Sequence, residues 1–372
     1  MKNKVKVVHY IPGFNDGGIE SRLLDWYRNI DKNKIEFVVI KMGDNLSDKA
    51  NEFIKLDGKF RNIPYLKLKN IFCYFKELKK VLKEEKPDVV HVHCMNTGLF
   101  CLKSAKSLGI KTRILHSRTT DFLPDEKHLL LKKLIKKLTP QYATDFFACS
   151  YEAGVWGNGK KNANKTIVIK NGIELPLFVF DNKKRLKKRA ELGLNDKFII
   201  GTIGRLSSQK NLTFLIEVFN KILTKDKEDK YHLVIVGSGN MKETLKMQAR
   251  KLDIVDRISF IEAQNDVWNY YMAFDIFVST SFYEGFGTTA IESQATGLPT
   301  ILSTGFPETV EISDYVMRIS LSERVDYWSD SILKMKIRNR TRKDAEKIEQ
   351  KGYSAKAVAK LLENYYIDSI NK

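Results

Sequence analysis

Three shortages narrow this chain before any motif is considered. Its four cysteines, Cys73, Cys94, Cys101 and Cys149, form no CxxC pair and no regular framework, which excludes a disulfide-stapled scaffold and fits the reduced thiols of a cytosolic protein. No window approaches the ~18 consecutive apolar residues of a membrane-spanning helix, and Lys2, Lys4 and Lys6 run straight into a strand-like stretch instead of a signal-peptide core. A secreted or membrane-spanning protein is therefore not expected. Low-complexity tracts and short internal repeats are missing as well. Acidic residues are the third shortage, with 45 against 64 Lys plus Arg in 372 residues, a formal net of +19 and a pI near 9.5. An anionic partner is expected.

What remains is an ordinary globular mix, 43% hydrophobic and 29% charged, so disorder and fibrous architectures are poor readings. At about 150 residues per domain the length suits two domains. The basic excess is uneven: residues 1–180 carry a net of +14 and residues 181–372 a net of +5. Whatever anion the excess serves, most of the charge lies in the first half.

Val5–Tyr10, Glu36–Lys41, Asp88–His93, Arg113–His116 and Asp145–Cys149 are short apolar or β-branched runs separated by segments of helical period. That alternation predicts a parallel sheet with crossover helices. It restarts with Phe198–Gly204, His232–Gly237, Ile258–Ile261, Asp275–Ser279 and Thr300–Ser303, so two doubly wound α/β domains are expected. The join is placed near 175–197, where Leu175-Pro176, the basic run Lys183–Arg189 and Gly193 interrupt the pattern. The expected division is 1–180, 181–352 and a final helix at 353–372 that is able to pack on the first domain.

Several turns at strand ends can hold a ligand. Gly17-Gly18 follows the first strand and opens a helix, which lets an anion approach backbone N–H groups; a plain tight turn is the equal alternative. It is not GxGxxG, which weakens a nicotinamide reading. Arg205 and Lys210 follow the first strand of the second half and can converge on one anion, or stand as two solvated cations. In Tyr283-Glu284-Gly285-Phe286-Gly287-Thr288-Thr289-Ala290-Ile291-Glu292 two carboxylates flank a glycine turn into a helix. Such a loop can hold a sugar, a diphosphate and a ribose, the alternative being a capping acid and a solvated one. His116, before Ser117-Arg118, is either a site residue or a buried hydrogen-bonded histidine. His91 and His93 share a strand face, but nothing at ligand spacing joins them, so no metal site is expected. The segment from Lys127 to Leu138 sets Leu131, Leu134, Ile135 and Leu138 on one helical face and Lys132, Lys133, Lys136 and Lys137 on the other. It reads as a helix lying on an anionic membrane, or as a domain helix with its apolar face on the core.

In this order and spacing, the segments GGIE (17–20), VIKNGIE (168–174), IGRLSSQKN (203–211) and YEGFGTTAIESQATGLPTI (283–301) resemble glycosyltransferase family 4, retaining enzymes of the GT-B architecture. The longer match, 266–300, looks closest to bacterial members that build capsular or exopolysaccharide units. The resemblance implies two Rossmann-like domains facing across a cleft and a nucleotide diphosphate sugar, most commonly a uridine one, as co-substrate. It makes Arg205 and Lys210 the diphosphate clamp, Glu284 the ligand of donor-sugar hydroxyls and Glu292 that of the ribose. The backbone of Phe286, Gly287, Thr288 and Thr289 would meet sugar and phosphate, Gly18 would approach the diphosphate, and His116 would sit beside the donor sugar. Gly17, Gly18, Glu20 and Arg118 fall on the acceptor side. Ser279-Thr280-Ser281 and Thr288-Thr289 depart from the family's usual residues and bear on which donor is read.

No second carboxylate is placed to attack an anomeric carbon, and no Asp-x-Asp clamp stands in the expected context. The expectation is front-face transfer with retention, without a metal or other cofactor, to a glycan or polyprenyl-diphosphate-linked acceptor. The enzyme would be cytoplasmic and peripheral on the inner face of the cell membrane, docked through Lys132, Lys133, Lys136 and Lys137. Two other readings compete: a nucleotide-sugar epimerase or hydrolase of the same fold, and a basic nucleic-acid-binding protein. No reader module supports the last, and the aromatic residues fall in apolar periodic segments.

Overall fold

The computed structural model describes residues 4–14, 18–122 and 128–370 and divides the chain into two compact units, 1–173 with 352–372, and 174–351. The first unit is built on a parallel sheet of β1 (Val5–Tyr10), β2 (Ile35–Met42), β3 (Lys59–Ile63), β4 (Val89–Val92), β5 (Thr112–Ser117), β6 (Asp145–Ala148) and β7 (Thr166–Val168), ordered β3-β2-β1-β4-β5-β6-β7. The second carries β8 (Phe198–Ile203), β9 (Tyr231–Val236), β10 (Ile258–Ile261), β11 (Ile276–Ser279), β12 (Thr300–Ser303) and β13 (Val316–Ile319), ordered β10-β9-β8-β11-β12-β13. Each sheet reverses its strand order once, at β1/β4 and at β8/β11. Such switch points open a crevice at the carboxyl ends of the strands, where α/β sheets bind ligands.

The central strands are apolar on both faces because helices cover both. Val7, Phe37, Val39 and Ile114 bury against Leu23, Trp26 and Tyr27 of the helix Gly18–Asn29, while Val8, Tyr10, Val38 and Val90 bury against Tyr74 and Leu78 of the helix Ile71–Glu85. Three strands escaped the sequence reading, β3, β7 and β13, all at sheet edges. An edge strand has less surface to bury: β3 reads Lys-Phe-Arg-Asn-Ile with only Ile63 buried, and β7 leaves Ile167 and Val168 exposed.

The helix Ala355–Ser369 returns to the first unit. Ser354 caps it, and Val358, Leu362 and Tyr366 enter the core around Trp26 and Phe37. Backbone bonds from Ile173 N to Tyr353 O (2.8 Å) and from Ala355 N to Ile173 O (2.9 Å) fasten its entry. Glu363, buried beside Lys360, accepts from Asp31 N at 3.0 Å. The basic run near 183 is not an interruption between domains. It forms the helix Asn182–Glu191, capped by Asp181, whose Arg185 and Arg189 both pair with Asp275 at the start of β11 (2.6 and 3.1 Å). Residues 174–180 also lie with the second unit, since Phe178 packs 6.0 Å from the Tyr271 ring and the Phe180 ring lies under Arg340.

Candidate functional site

In the second unit the strand ends bring Lys210 and Glu284 together. Lys210 Nζ lies 2.6 Å from Glu284 Oε1, and both side chains are largely withdrawn from solvent. The two loops are stitched by backbone and side-chain bonds: Phe282 N donates to Gln209 O (2.9 Å), Gln209 Nε2 to Tyr283 O (2.9 Å), and Thr280 Oγ1 to Lys210 O and Asn211 O (3.2 and 2.9 Å). Thr280, one of the departures from the family's usual residues, thus fixes the lysine's own backbone. Arg205 is exposed, without an ion pair among the described residues, a few residues before Lys210.

Glu284 N donates to Gly305 O at 2.9 Å, and the chain then passes through buried Phe286 to Gly287. Gly287 has φ +86°, and a Cβ there would stand 2.4 Å from the Phe306 ring, so only glycine turns this corner. The helix Thr288–Ala295 starts immediately after it and directs its positive end back towards the loop that carries Glu284. Glu292, a turn further in, is buried and accepts from Tyr271 Oη at 2.9 Å. Burial and that carboxylate hold the Tyr271 phenol well above its ordinary range, so it remains a donor. Tyr271 had no signal in the sequence, because it lies 21 residues from its partner in an aromatic helix that reads as core.

The first unit places its expected residues less compactly. Gly17 lies outside the described residues. Gly18 opens the helix after β1 with open space where a Cβ would be, and Glu20 follows in the first turn. His116, expected beside the donor sugar, has no exposed surface. Its ring stacks on Trp26 (6.1 Å) and His91 (5.1 Å), and Nδ1 bonds His91 Nε2 at 2.9 Å. The buried hydrogen-bonded alternative is the one observed.

His116 belongs to a set that the strand register assembles. His9 pairs with His91 across β1 and β4, and His93 and His116 stand one step further along the same face. His9 Nδ1 bonds His93 Nε2 (2.9 Å), and His91 Nδ1 bonds Tyr366 Oη (2.8 Å). Desolvation, with the nearby Arg118 charge, holds His9 down to about 3 and the other three well below the ordinary histidine range. Nitrogens of His9, His91 and His93 lie within 4.8 Å of one another. Two of these rings already bond each other and Arg118 Nη2 stands 3.2 Å from His93 Nδ1, so a cation beside them would meet a fixed guanidinium. Arg118 itself is half-buried, bonded to Asn171 Oδ1 (3.1 Å) and 4.8 Å above the Trp26 ring, with burial pushing it down to about 10.

The helix expected at 127–138 is described over Leu129–Leu138, and its orientation is informative. None of its residues is buried. Lys132, Ile135 and Lys136 form the half-buried side, and Thr139 just beyond them is buried, whereas Leu130 is 85% and Leu134 54% exposed, with Leu131, Lys133, Lys137 and Leu138 also outward. Lys136 turns inward, donating to Trp156 O at 2.9 Å and lying 4.2 Å from the Trp156 ring. The apolar face therefore does not serve the core.

Residues 16–176 match the model of Glycosyltransferase Family 4, and residues 184–354 that of Glycosyl transferases group 1. The chain is a family 4 glycosyltransferase of the GT-B type. The transferase is 28% identical to the EpsF protein of Bacillus subtilis, whose name assigns it to the glycosyltransferases, over 99% of this chain and 97% of that one. An Escherichia coli enzyme named UDP-Gal:alpha-D-GlcNAc-diphosphoundecaprenol alpha-1,3-galactosyltransferase is 29% identical over 70% of this chain and 68% of its own. Among solved structures, Anabaena HepE in complex with UDP-glucose has a TM-score of 0.73 at 17% identity, covering 98% of each chain. No helix among the described residues of the transferase is long and apolar enough to cross a membrane.

Proposed function

We propose that the transferase moves a sugar from a uridine diphosphate sugar to a hydroxyl of a glycan or polyprenyl-diphosphate-linked acceptor, with retention of anomeric configuration, in cell-surface polysaccharide synthesis. The observation that carries this reading is the Lys210–Glu284 pair, held between two stitched loops beside the start of the helix Thr288–Ala295. A cation, a carboxylate and a helix N-terminus within one loop system fit the diphosphate and the sugar hydroxyls of such a donor. The printed name of the Escherichia coli relative, with its uridine donor and diphosphoundecaprenol-linked acceptor, supports the same substrate classes.

On binding, Lys210 exchanges Glu284 for the diphosphate, joined by Arg205 and by N–H groups of Phe286 to Thr289, and Glu284 accepts from donor-sugar hydroxyls. Glu292, positioned by Tyr271, takes the ribose. The bond from the anomeric carbon to the diphosphate oxygen breaks as the acceptor oxygen forms its own bond on the same face. The acceptor's proton passes to the departing diphosphate oxygen, whose charge Lys210 and Arg205 stabilise. No step needs His116, which is enclosed in the first unit's core. Gly18, Glu20 and Arg118 lie on the acceptor's side. The outward face of Leu130, Leu131, Leu134 and Leu138, edged by Lys133 and Lys137, suits the anionic inner face of the cell membrane, where a lipid-linked acceptor resides.

Labelled nucleotide sugars incubated with purified protein and lipid-linked acceptor test the reading. Product formation that falls steeply in Lys210→Ala and Glu284→Ala, with the donor's anomeric configuration kept by proton NMR, is expected. Transfer within a few-fold of wild type in both variants, or an inverted product, contradicts it.

A further inference from the structure

At the carboxyl ends of β2 and β3, residues 43–45 and 62–65 line an open cleft of about 540 Å³, none of them among the candidate site residues. The loop 43–45 on one side of it is braced from behind. Lys41 is only 1% exposed and turns its ammonium under the loop, donating to Gly43 O (2.7 Å) and Asn45 O (2.9 Å). Gly43 N in turn bonds Ile63 O at 3.0 Å, which ties the two segments together.

Gly43 has φ +73°, and a Cβ on it would stand 2.4 Å from the Tyr65 hydroxyl and 2.6 Å from the ring. Glycine thus lets the Tyr65 ring rest on the backbone, while 54% of the residue stays exposed and the residue lines the cleft. At the rim, Asn62 Nδ2 donates to Asp44 Oδ1 at 2.7 Å, joining an amide and a carboxylate into one fork.

A supported aromatic face beside a joined carboxylate and amide is the chemistry that recognises a neutral polyhydroxylated ring: C–H groups pack on the aromatic face and neighbouring hydroxyls pair with the fork. A phosphate would meet Asp44, and a wholly apolar ligand would leave the fork unsatisfied. We propose that this cleft is a subsite for one sugar ring of the acceptor glycan, an inference that rests on the transferase reading above. In the sheet order the cleft lies about two strand spacings, roughly 10 Å, from the β1/β4 switch point. The ring it holds is one already installed in the glycan, not the one being extended.

The test is an array of α- and β-linked oligosaccharides of glucose, galactose and N-acetylglucosamine, with the corresponding monosaccharides, probed with the full chain. Wild type and Tyr65→Phe are expected to bind a common subset of oligosaccharides. Tyr65→Ala is expected to bind them about tenfold more weakly, and Asn62→Ala, an exposed substitution that serves equally if the tyrosine variant fails to fold, several-fold more weakly. Absence of glycan binding by wild type, or unchanged binding in Tyr65→Ala and Asn62→Ala, overturns the subsite. Nucleotide-sugar titration of the same preparations reads the transferase assignment separately, with Tyr65→Ala expected to match wild type.

Discussion

At the carboxyl edge of the second sheet, the half-buried ammonium of Lys210 meets the carboxylate of Glu284 at 2.6 Å. At the same edge of the first sheet, four neutral imidazoles and the guanidinium of Arg118 gather with no carboxylate in ion-pair contact among the described residues. An ion pair in a loop can be opened and its two halves reassigned to a ligand of mixed charge. A bonded array of histidines under Trp26 and Tyr366 is a framework: it sets where the surrounding strand ends stand, and it resists taking up protons. The two units also differ at their surfaces, since the first carries most of the basic excess and turns a row of leucines outward.

The sharpest way to break the comparison is to remove one member of the ion pair. Lys210→Ala is expected to lower turnover by about 100- to 1000-fold, the usual cost of losing one group that stabilises a developing anion, and steady-state kinetics check it. Equivalent substitution of His116 by Gln is expected to act through stability, with the donor KM unchanged in the folded fraction. A donor KM raised as in Lys210→Ala would return His116 to the site.

The next effect concerns the outward leucines. Leu130→Asp with Leu134→Asp is expected to weaken sedimentation with anionic liposomes by about 10- to 100-fold, since each leucine withdrawn from water is worth about 1.5–3 kcal/mol when fully buried. Lys133→Glu with Lys137→Glu is expected to cost a similar amount, about 1 kcal/mol per lysine. Unchanged liposome binding in both pairs would leave the first unit's +14 unexplained.

The histidine framework predicts a pH dependence of stability. Its folded-state values lie below the ordinary 6.5, so between the two the unfolded chain binds protons that the folded chain refuses. The stabilisation is complete above pH 6.5 and is lost as pH falls towards the folded values. Between pH 7.5 and pH 6 a loss of about 0.8 kcal/mol per ring, about 3 kcal/mol in all, is expected, visible as a thermal midpoint lower by several degrees. A midpoint that is flat or rises over that range would show that the rings are not held neutral. The smallest effect is that of Tyr271→Phe, expected to weaken donor binding by about 1 kcal/mol through the lost bond to Glu292, measured by calorimetry.

Legibility in the sequence follows the range of the interactions. The central strands were readable because burial on both faces leaves largely apolar runs, whereas the edge strands escape for separate reasons: β3 is mostly polar, β7 has only three residues, and β13 is a four-residue run broken by Arg318. Lys210, Glu284 and Glu292 stood out by their places at or just after strand-end turns, but their spacing alone left solvated or capping side chains as alternatives, and only the resemblance of the surrounding segments gave them roles. The histidine framework was not, because His9 meets His93 across 84 residues and His91 meets Tyr366 across 275. The orientation of the helix Leu129–Leu138 was undecidable from its period, since an apolar stripe looks the same whether it faces a core or the outside. The inward turn of Lys136 towards Trp156 and the exposure of Leu130 and Leu134 resolve it.

The central claim is that the second unit grips a nucleotide diphosphate sugar through Lys210 and Glu284. Thermal unfolding of wild type, Lys210→Ala and Glu284→Gln against a panel of uridine and guanosine diphosphate sugars tests it most directly. One donor at 100 times its Kd should stabilise wild type by about 2.7 kcal/mol, with the shift lost or strongly reduced in both variants. No shift with any donor, or the same shift in all three proteins, would contradict the account.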